Sequence, residues 1–187
     1  GKALTIDCVR SVLKSDYANY RILVIDNGSQ DGSADELKRQ FGSTIEVIEN
    51  ERNLGYACGF NVGLRYAFVD KRSDYCIVMN NDTVIDPAAI SELVKIGESD
   101  DNIGFVTGKV YFYDRPNVLQ TVGKEDDSIL WNGAHIGGGY DDKGQYDGVC
   151  ERAFVDDIFT LVRRRLYNDT GGYDTTFFLQ SEEYDWQ

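Results

Sequence analysis

The chain has 187 residues, the size of one domain and enough to bury a sizeable core. Acidic residues outnumber basic ones by 32 to 19 and the net charge is −13, with no lysine/arginine run that stands out, which argues against nucleic acid and anionic membrane as partners. An anionic ligand therefore needs local help, from a cation or from backbone N–H groups.

In chain order, Leu4 to Ser15 places Cys8, Val9, Val12 and Leu13 on one helical face. Arg21 to Asp26, "RILVID", is an apolar run of buried-strand length, followed by the turn cluster "NGSQDGS". Ser33 with Glu36 three residues later reads as a capping box opening a helix. "TIEVIE" alternates like a strand, "YACGFNVGLRYAFV" is a glycine-weakened helix, and "YCIVM" is the next strand. Asp86-Pro87 looks like the N-cap and first turn of "PAAISELVKI", and "IGFVTGKVYFY" is β in character. From Asp114 to Val149 glycine, aspartate and asparagine dominate, predicting a mobile loop or exposed hairpin. "FVDDIFTLVRR" reads as a strand, and "GGYDTTFFLQSEEYDWQ" as a turn, a short apolar stretch and a helix start.

This alternation predicts a single α/β domain over residues 1–187, with a mostly parallel central sheet flanked by helices. The chain opens on a helix where such a fold would open on a strand, and stops at Gln187 as another helix starts. The expectation is a fold lacking its first strand and its C-terminal helices. Cys8, Cys58, Cys76 and Cys150 are widely spaced with no C-x-x-C pair, as in reduced cysteines of a cytoplasmic protein. His135 is the only histidine, so carboxylates must hold any cation. No signal peptide is visible and no apolar run approaches about 18 residues, so no membrane span is expected.

In open α/β sheets ligands bind beyond the carboxyl ends of parallel strands. "RILVID" ends in Asp26-Asn27 and "YCIVM" in Asn80-Asn81-Asp82, which would bring polar groups to one crevice. Asparagine and aspartate are also ordinary turn residues, so either motif alone is ambiguous.

The blocks "ILVIDNGSQDGS", "NERNLGYACGFNVGL", "IVMNNDTVIDP" and "GGYDTTFFLQSEEYDW" resemble, in order and spacing, the family 2 glycosyltransferases, the rhamnosyltransferase-like branch in particular. The resemblance implies a GT-A fold and an inverting, metal-dependent transfer of a sugar from a UDP- or dTDP-sugar to an acceptor hydroxyl of a glycan or lipid-linked molecule, in polysaccharide or glycoconjugate synthesis. It makes Asp26 the base-binding aspartate. The resemblance likewise implies that Asn27, Asn53, Gly55, Asn61, Asn80 and Asn81 line the nucleotide pocket and that Asp82 holds Mn²⁺ or Mg²⁺. A diphosphate leaves well only when its developing charge is neutralised, and a hard cation held by one or two carboxylates and the phosphates does that. Inverting transfer also needs a carboxylate opposite the leaving group. Glu183 stands in the family's catalytic aspartate position and Glu182 at the preceding glutamate.

Other conspicuous residues have plainer readings: His135 as a surface or hydrogen-bonding residue, Arg163, Arg164 and Arg165 as solvated or paired with nearby acids, Trp131 and Tyr140 as packing residues. Two other activities fit parts of the pattern. A sugar-phosphate nucleotidyltransferase shares the sheet and the acid-bound metal but would carry a glycine-rich phosphate loop. A non-catalytic nucleotide- or glycan-binding module would bind without turnover.

Overall fold

The computed structural model describes residues 1–126, 134–179 and 182–187. Helix α1 spans Lys2–Val12 and buries Ile6, Cys8, Val9 and Val12. Leu13, expected on the same face, is 36% exposed because the helix has ended before it. Strand β1 (Ile22–Asp26) leads to α2 (Ser33–Phe41), β2 (Ile45–Glu49) and α3 (Tyr56–Arg65), which continues through a π turn over Tyr66–Asp70. The capping box at Ser33 does not form. Asp31 Oδ1 accepts the Ser33 backbone N–H at 3.0 Å, while Glu36 is drawn to Arg39 and Gln40 one turn on.

Strand β3 (Tyr75–Met79) is followed by α4 (Ala89–Gly97). Asp86 caps the turn before α4 by accepting the Ala88 N–H at 2.9 Å, so the helix starts two residues beyond Pro87. "IGFVTGKVYFY" divides into β4 (Phe105–Thr107) and β5 (Val110–Phe112), which join different sheets. Arg115–Thr121 forms β6, hairpin-paired to β5, so the polar region begins as a hairpin. Tyr140 in that region is 66% exposed, and Trp131 lies outside the described residues. Strand β7 covers only Phe159–Arg163, followed by α5 (Arg164–Thr170) and α6 (Glu182–Trp186).

The α/β class holds, but the pairing differs from a mostly parallel sheet. β1 and β2 are parallel, whereas β7 lies between β3 and β4, antiparallel to both. The β3–α4–β4 alternation sets two strands running the same way, and it carries no information about the strand inserted between them from about 50 residues downstream. That inserted strand is the centre of the core: Thr160, Leu161 and Val162 are at most 1% exposed. One apolar cluster packs α4 against β4 and β7, a second packs α3 against β3, β7, Tyr173 and Trp186, and a third packs α1 and α2 against β1 and β2. β1 and β3 are not hydrogen-bonded to each other; both line a cavity of about 1210 Å³.

Candidate active site at the strand ends

Asp26 closes β1 almost buried. Its Oδ1 accepts the Ser29 N–H at 2.7 Å and its carbonyl accepts the Asn50 N–H at 2.8 Å. The following turn requires Gly28: its φ is 83°, and a Cβ there would sit 2.5 Å from the Arg52 carbonyl carbon. Asn27 is the hub of this end. Its Nδ2 donates to Asn53 Oδ1 at 3.0 Å and to the Gly55 carbonyl at 2.9 Å. Its Oδ1 accepts from the Leu54 N–H and Asn50 Nδ2, each at 3.1 Å. Asn53 Oδ1 also accepts the Gly55 N–H at 2.9 Å. Asn27 and Asn53, two of the five asparagines expected at the nucleotide, therefore hold the loop between Asn50 and Gly55.

Gly55 adopts φ 85°, and a Cβ there would meet the Phe178 carbonyl oxygen at 2.6 Å. This close approach lets the Tyr56 N–H donate to the same carbonyl at 2.7 Å, tying the start of α3 to the segment before α6. Asn61, expected in the nucleotide pocket, makes its hydrogen bonds to Tyr173. Its Nδ2 donates to the Tyr173 carbonyl at 2.8 Å and its Oδ1 accepts the Tyr173 N–H at 2.9 Å, so both ends of the amide clamp that backbone.

At the end of β3, the Asn80 N–H donates to the Ile158 carbonyl and its Oδ1 accepts the Tyr56 hydroxyl at 3.2 Å. Asn81 Nδ2 donates to Thr5 Oγ1 on α1 at 2.8 Å. Asp82 is exposed, and among the described residues its carboxylate takes part in no hydrogen bond or ion pair. Burial, with Asp82 nearby as the second cause, pushes the Cys8 thiol up to about 11, so Cys8 is a neutral packing residue. No group of three or more His, Cys, Asp or Glu among the described residues is arranged to hold a metal ion. Asn27, Gly55, Tyr56, Asn80 and Asn81 line one cavity, which joins the two strand ends.

Helix α6 adds the acids. Glu182 is 3% exposed, and its Oε2 has no hydrogen-bond partner among the described residues; burial raises its carboxyl above the ordinary range. Glu183 is more open, and its Oε1 accepts from Lys124 Nζ at 3.0 Å. Asp157 lies in the same neighbourhood, and burial, reinforced by Glu183, Glu182 and Asp156, pushes it up to about 7. Tyr56 connects the two halves: its hydroxyl lies 3.2 Å from Asn80 Oδ1 and 3.5 Å from the Asp157 carbonyl. Tyr56, Lys124, Asp156 and Asp157 escaped sequence reasoning. Asp156 and Asp157 sit in a segment that reads as strand, and Lys124 begins a polar stretch without periodicity. The plainer readings fit elsewhere: Arg163 pairs with Asp101 at 2.8 Å and Arg164 with Asp74 at 2.7 Å, and His135 Nδ1 lies 3.2 Å from Asp156 Oδ2.

The profile of Glycosyl transferase family 2 matches residues 2–177. The chain belongs to this family. It is 24% identical over 184 residues to a poly-beta-1,6-N-acetyl-D-glucosamine synthase of Staphylococcus epidermidis, covering 97% of this chain and 41% of the relative. The synthase of Staphylococcus aureus strain COL is 22% identical over 182 residues. The chain thus spans about two fifths of the curated relatives it matches. A mannosyltransferase from Pyrobaculum calidifontis in complex with GDP-Man and Mn²⁺ superposes with TM-score 0.68 at 15% identity, covering 100% of this chain and 47% of that one. GalNAc-T7 with UDP, GalNAc and Mn²⁺ gives 0.72 at 16% identity, covering 98% and 36%. These glycosyltransferases share the fold, which bears out the GT-A expectation. Among the described residues no helix is long and apolar enough to cross a membrane.

Proposed function

We propose that this chain carries the donor site and the general base of an inverting glycosyltransferase. It would move a sugar from a UDP- or dTDP-sugar to an acceptor hydroxyl in polysaccharide or glycoconjugate synthesis. The observation that carries the reading is the Tyr56 bridge, which joins the Asn80 end of β3 to the acidic cluster of Asp157, Glu182 and Glu183 in a family 2 chain. Family membership disfavours a nucleotidyltransferase, and a module that only binds would bind donor without turnover.

Asp26 presents Oδ2 to the N3–H of a pyrimidine base while Oδ1 stays on the Ser29 N–H. Asp82, exposed and without a partner among the described residues, fits a site in which one carboxylate and the donor phosphates share a divalent cation. The structural relatives' complexes with Mn²⁺ support that choice. A cation bound there supplies charge neutralisation for the departing diphosphate. Glu183 accepts the acceptor hydroxyl's proton as that oxygen bonds the anomeric carbon, and the bond to the diphosphate breaks on the opposite face, inverting the configuration. Glu182 is the poorer base, being buried and biased toward its protonated form.

The test is a thermal-shift panel of UDP, dTDP and GDP and their sugars, with and without Mn²⁺, on the parent protein and Asp82→Asn. A ligand at 100 times its Kd stabilises by about 2.7 kcal/mol. Asp82→Asn should keep its fold and lose the Mn²⁺-dependent part of the shift. An unchanged metal-dependent shift places the cation elsewhere. Glu183→Gln should bind donor normally and lose roughly two to four orders of magnitude in transfer rate; if Glu182→Gln alone shows that loss, the base is Glu182.

A further inference from the structure

Lys124 is a lysine almost without access to water, at 6% exposure. Its backbone is fixed between two segments: its N–H donates to the Phe154 carbonyl at 2.8 Å, and it makes β-bridges to both Phe154 and His135. Its ammonium lies 2.8 Å from Asp156 Oδ1 and 3.0 Å from Glu183 Oε1, above the Tyr184 ring at 4.6 Å. Such burial alone would strip the charge from an amine. The paired acids, Asp156 first, outweigh it and hold the lysine above its ordinary range.

The far side of the contact is equally constrained. Gln187, at the end of α6, donates from Nε2 to the Val155 carbonyl at 3.0 Å and accepts the Val155 N–H on Oε1 at 2.7 Å. Phe154 packs edge-on against Tyr184, with ring centroids 4.8 Å apart. The groups facing the pair are therefore Asp156 and Asp157 from the segment before β7, Glu182 and Tyr184 from α6, and His135 beside Asp156. In this acid-rich corner Lys124 is the one cation in direct contact with Glu183 among the described residues.

We propose that Lys124 is a positioning residue for the catalytic carboxylate: its ammonium pins Glu183 Oε1 at 3.0 Å and holds the side chain in one orientation, leaving Oε2 to meet the acceptor hydroxyl. This rests on the reading of Glu183 as the base. A buried cation suits this corner because one ammonium holds Asp156 and Glu183 together, fixing α6 against the segment before β7.

The test measures Mn²⁺-dependent release of UDP from UDP-N-acetylglucosamine, resolved into kcat and KM, together with Mn²⁺–UDP affinity by calorimetry. Lys124→Met should lower kcat by roughly tenfold or more. Affinity for Mn²⁺–UDP should stay within about twofold, because only the base is disturbed. Lys124→Arg should restore kcat. Lys124→Met strands buried Asp156, so Lys124→Met/Asp156→Asn serves as the folded alternative. An unchanged kcat in these variants, or a loss that Lys124→Arg does not recover, overturns the proposal. An active Glu183→Gln overturns the base reading instead, and the positioning role falls with it.

Discussion

Removing the Asn61 amide should unfasten the turn before α6 and destabilise the whole domain. Asn61 makes two hydrogen bonds, 2.8 and 2.9 Å, to the backbone of Tyr173, a residue only 3% exposed. Two such bonds contribute on the order of 2 kcal/mol, and leaving the buried N–H and carbonyl of Tyr173 without partners adds to that, so Asn61→Ala should cost about 3 kcal/mol. For a domain of this size that is a drop of roughly 6–12 °C in Tm. Gly172 offers an independent handle. A Cβ there would lie 2.2 Å from Asn61 Oδ1 and 3.1 Å from its Cγ, so Gly172→Ala must evict the same amide and should cost a similar amount. With Asn61 already truncated, the nearest remaining atom of another residue is Leu64 Cδ1 at 3.4 Å, an ordinary contact, and Gly172→Ala should then cost less than about 0.5 kcal/mol. Urea unfolding followed by circular dichroism on the four proteins of this cycle measures the coupling, expected at about 2.5 kcal/mol or more. Additive costs would refute the clamp. So would an Asn61→Ala protein of parental stability with weakened UDP binding, which would return Asn61 to the nucleotide pocket.

Asp157 carries a pH signature. Its folded carboxyl is pushed up to about 7 from an ordinary 3.8, so the folded state holds a proton that the unfolded state releases; the stability it contributes is complete below about pH 4 and is lost as pH rises to about 7. Asp157→Asn, neutral throughout, should flatten the fall in Tm over that window and be the more stable protein above pH 7; equal slopes would mean that another group titrates. Asp26→Asn keeps an acceptor for the Ser29 N–H but replaces the second oxygen by an N–H donor facing the base. UDP affinity should fall at least tenfold with little change in Mn²⁺ dependence, and calorimetry showing unchanged affinity would remove Asp26 from the base site.

What the sequence makes legible is local. Apolar runs such as Ile22–Asp26 and Tyr75–Met79 declare buried strands, and their polar ends declare a crevice, because both signals lie within a few consecutive residues. Pairing across the chain is not legible in the same way. β7 separates β3 from β4, and Lys124 meets Glu183 across 59 positions, in a stretch whose composition announces only loop. Within the site the residue types themselves mislead, since an asparagine amide both donates and accepts and can serve a backbone as readily as a nucleotide. Asn27, Asn53 and Asn61 all turn inward to hold loops. A carboxylate only accepts, and where no donor reaches it, it stays available to a cation or a proton. Asp82 has no partner among the described residues, and Asp26 and Glu183 each engage one oxygen with a protein donor. Free hydrogen-bonding capacity therefore separates the two groups: Asn27 and Asn61 spend both ends of their amides on the fold, whereas Asp82, Asp26 and Glu183 each keep at least one carboxylate oxygen without a donor among the described residues.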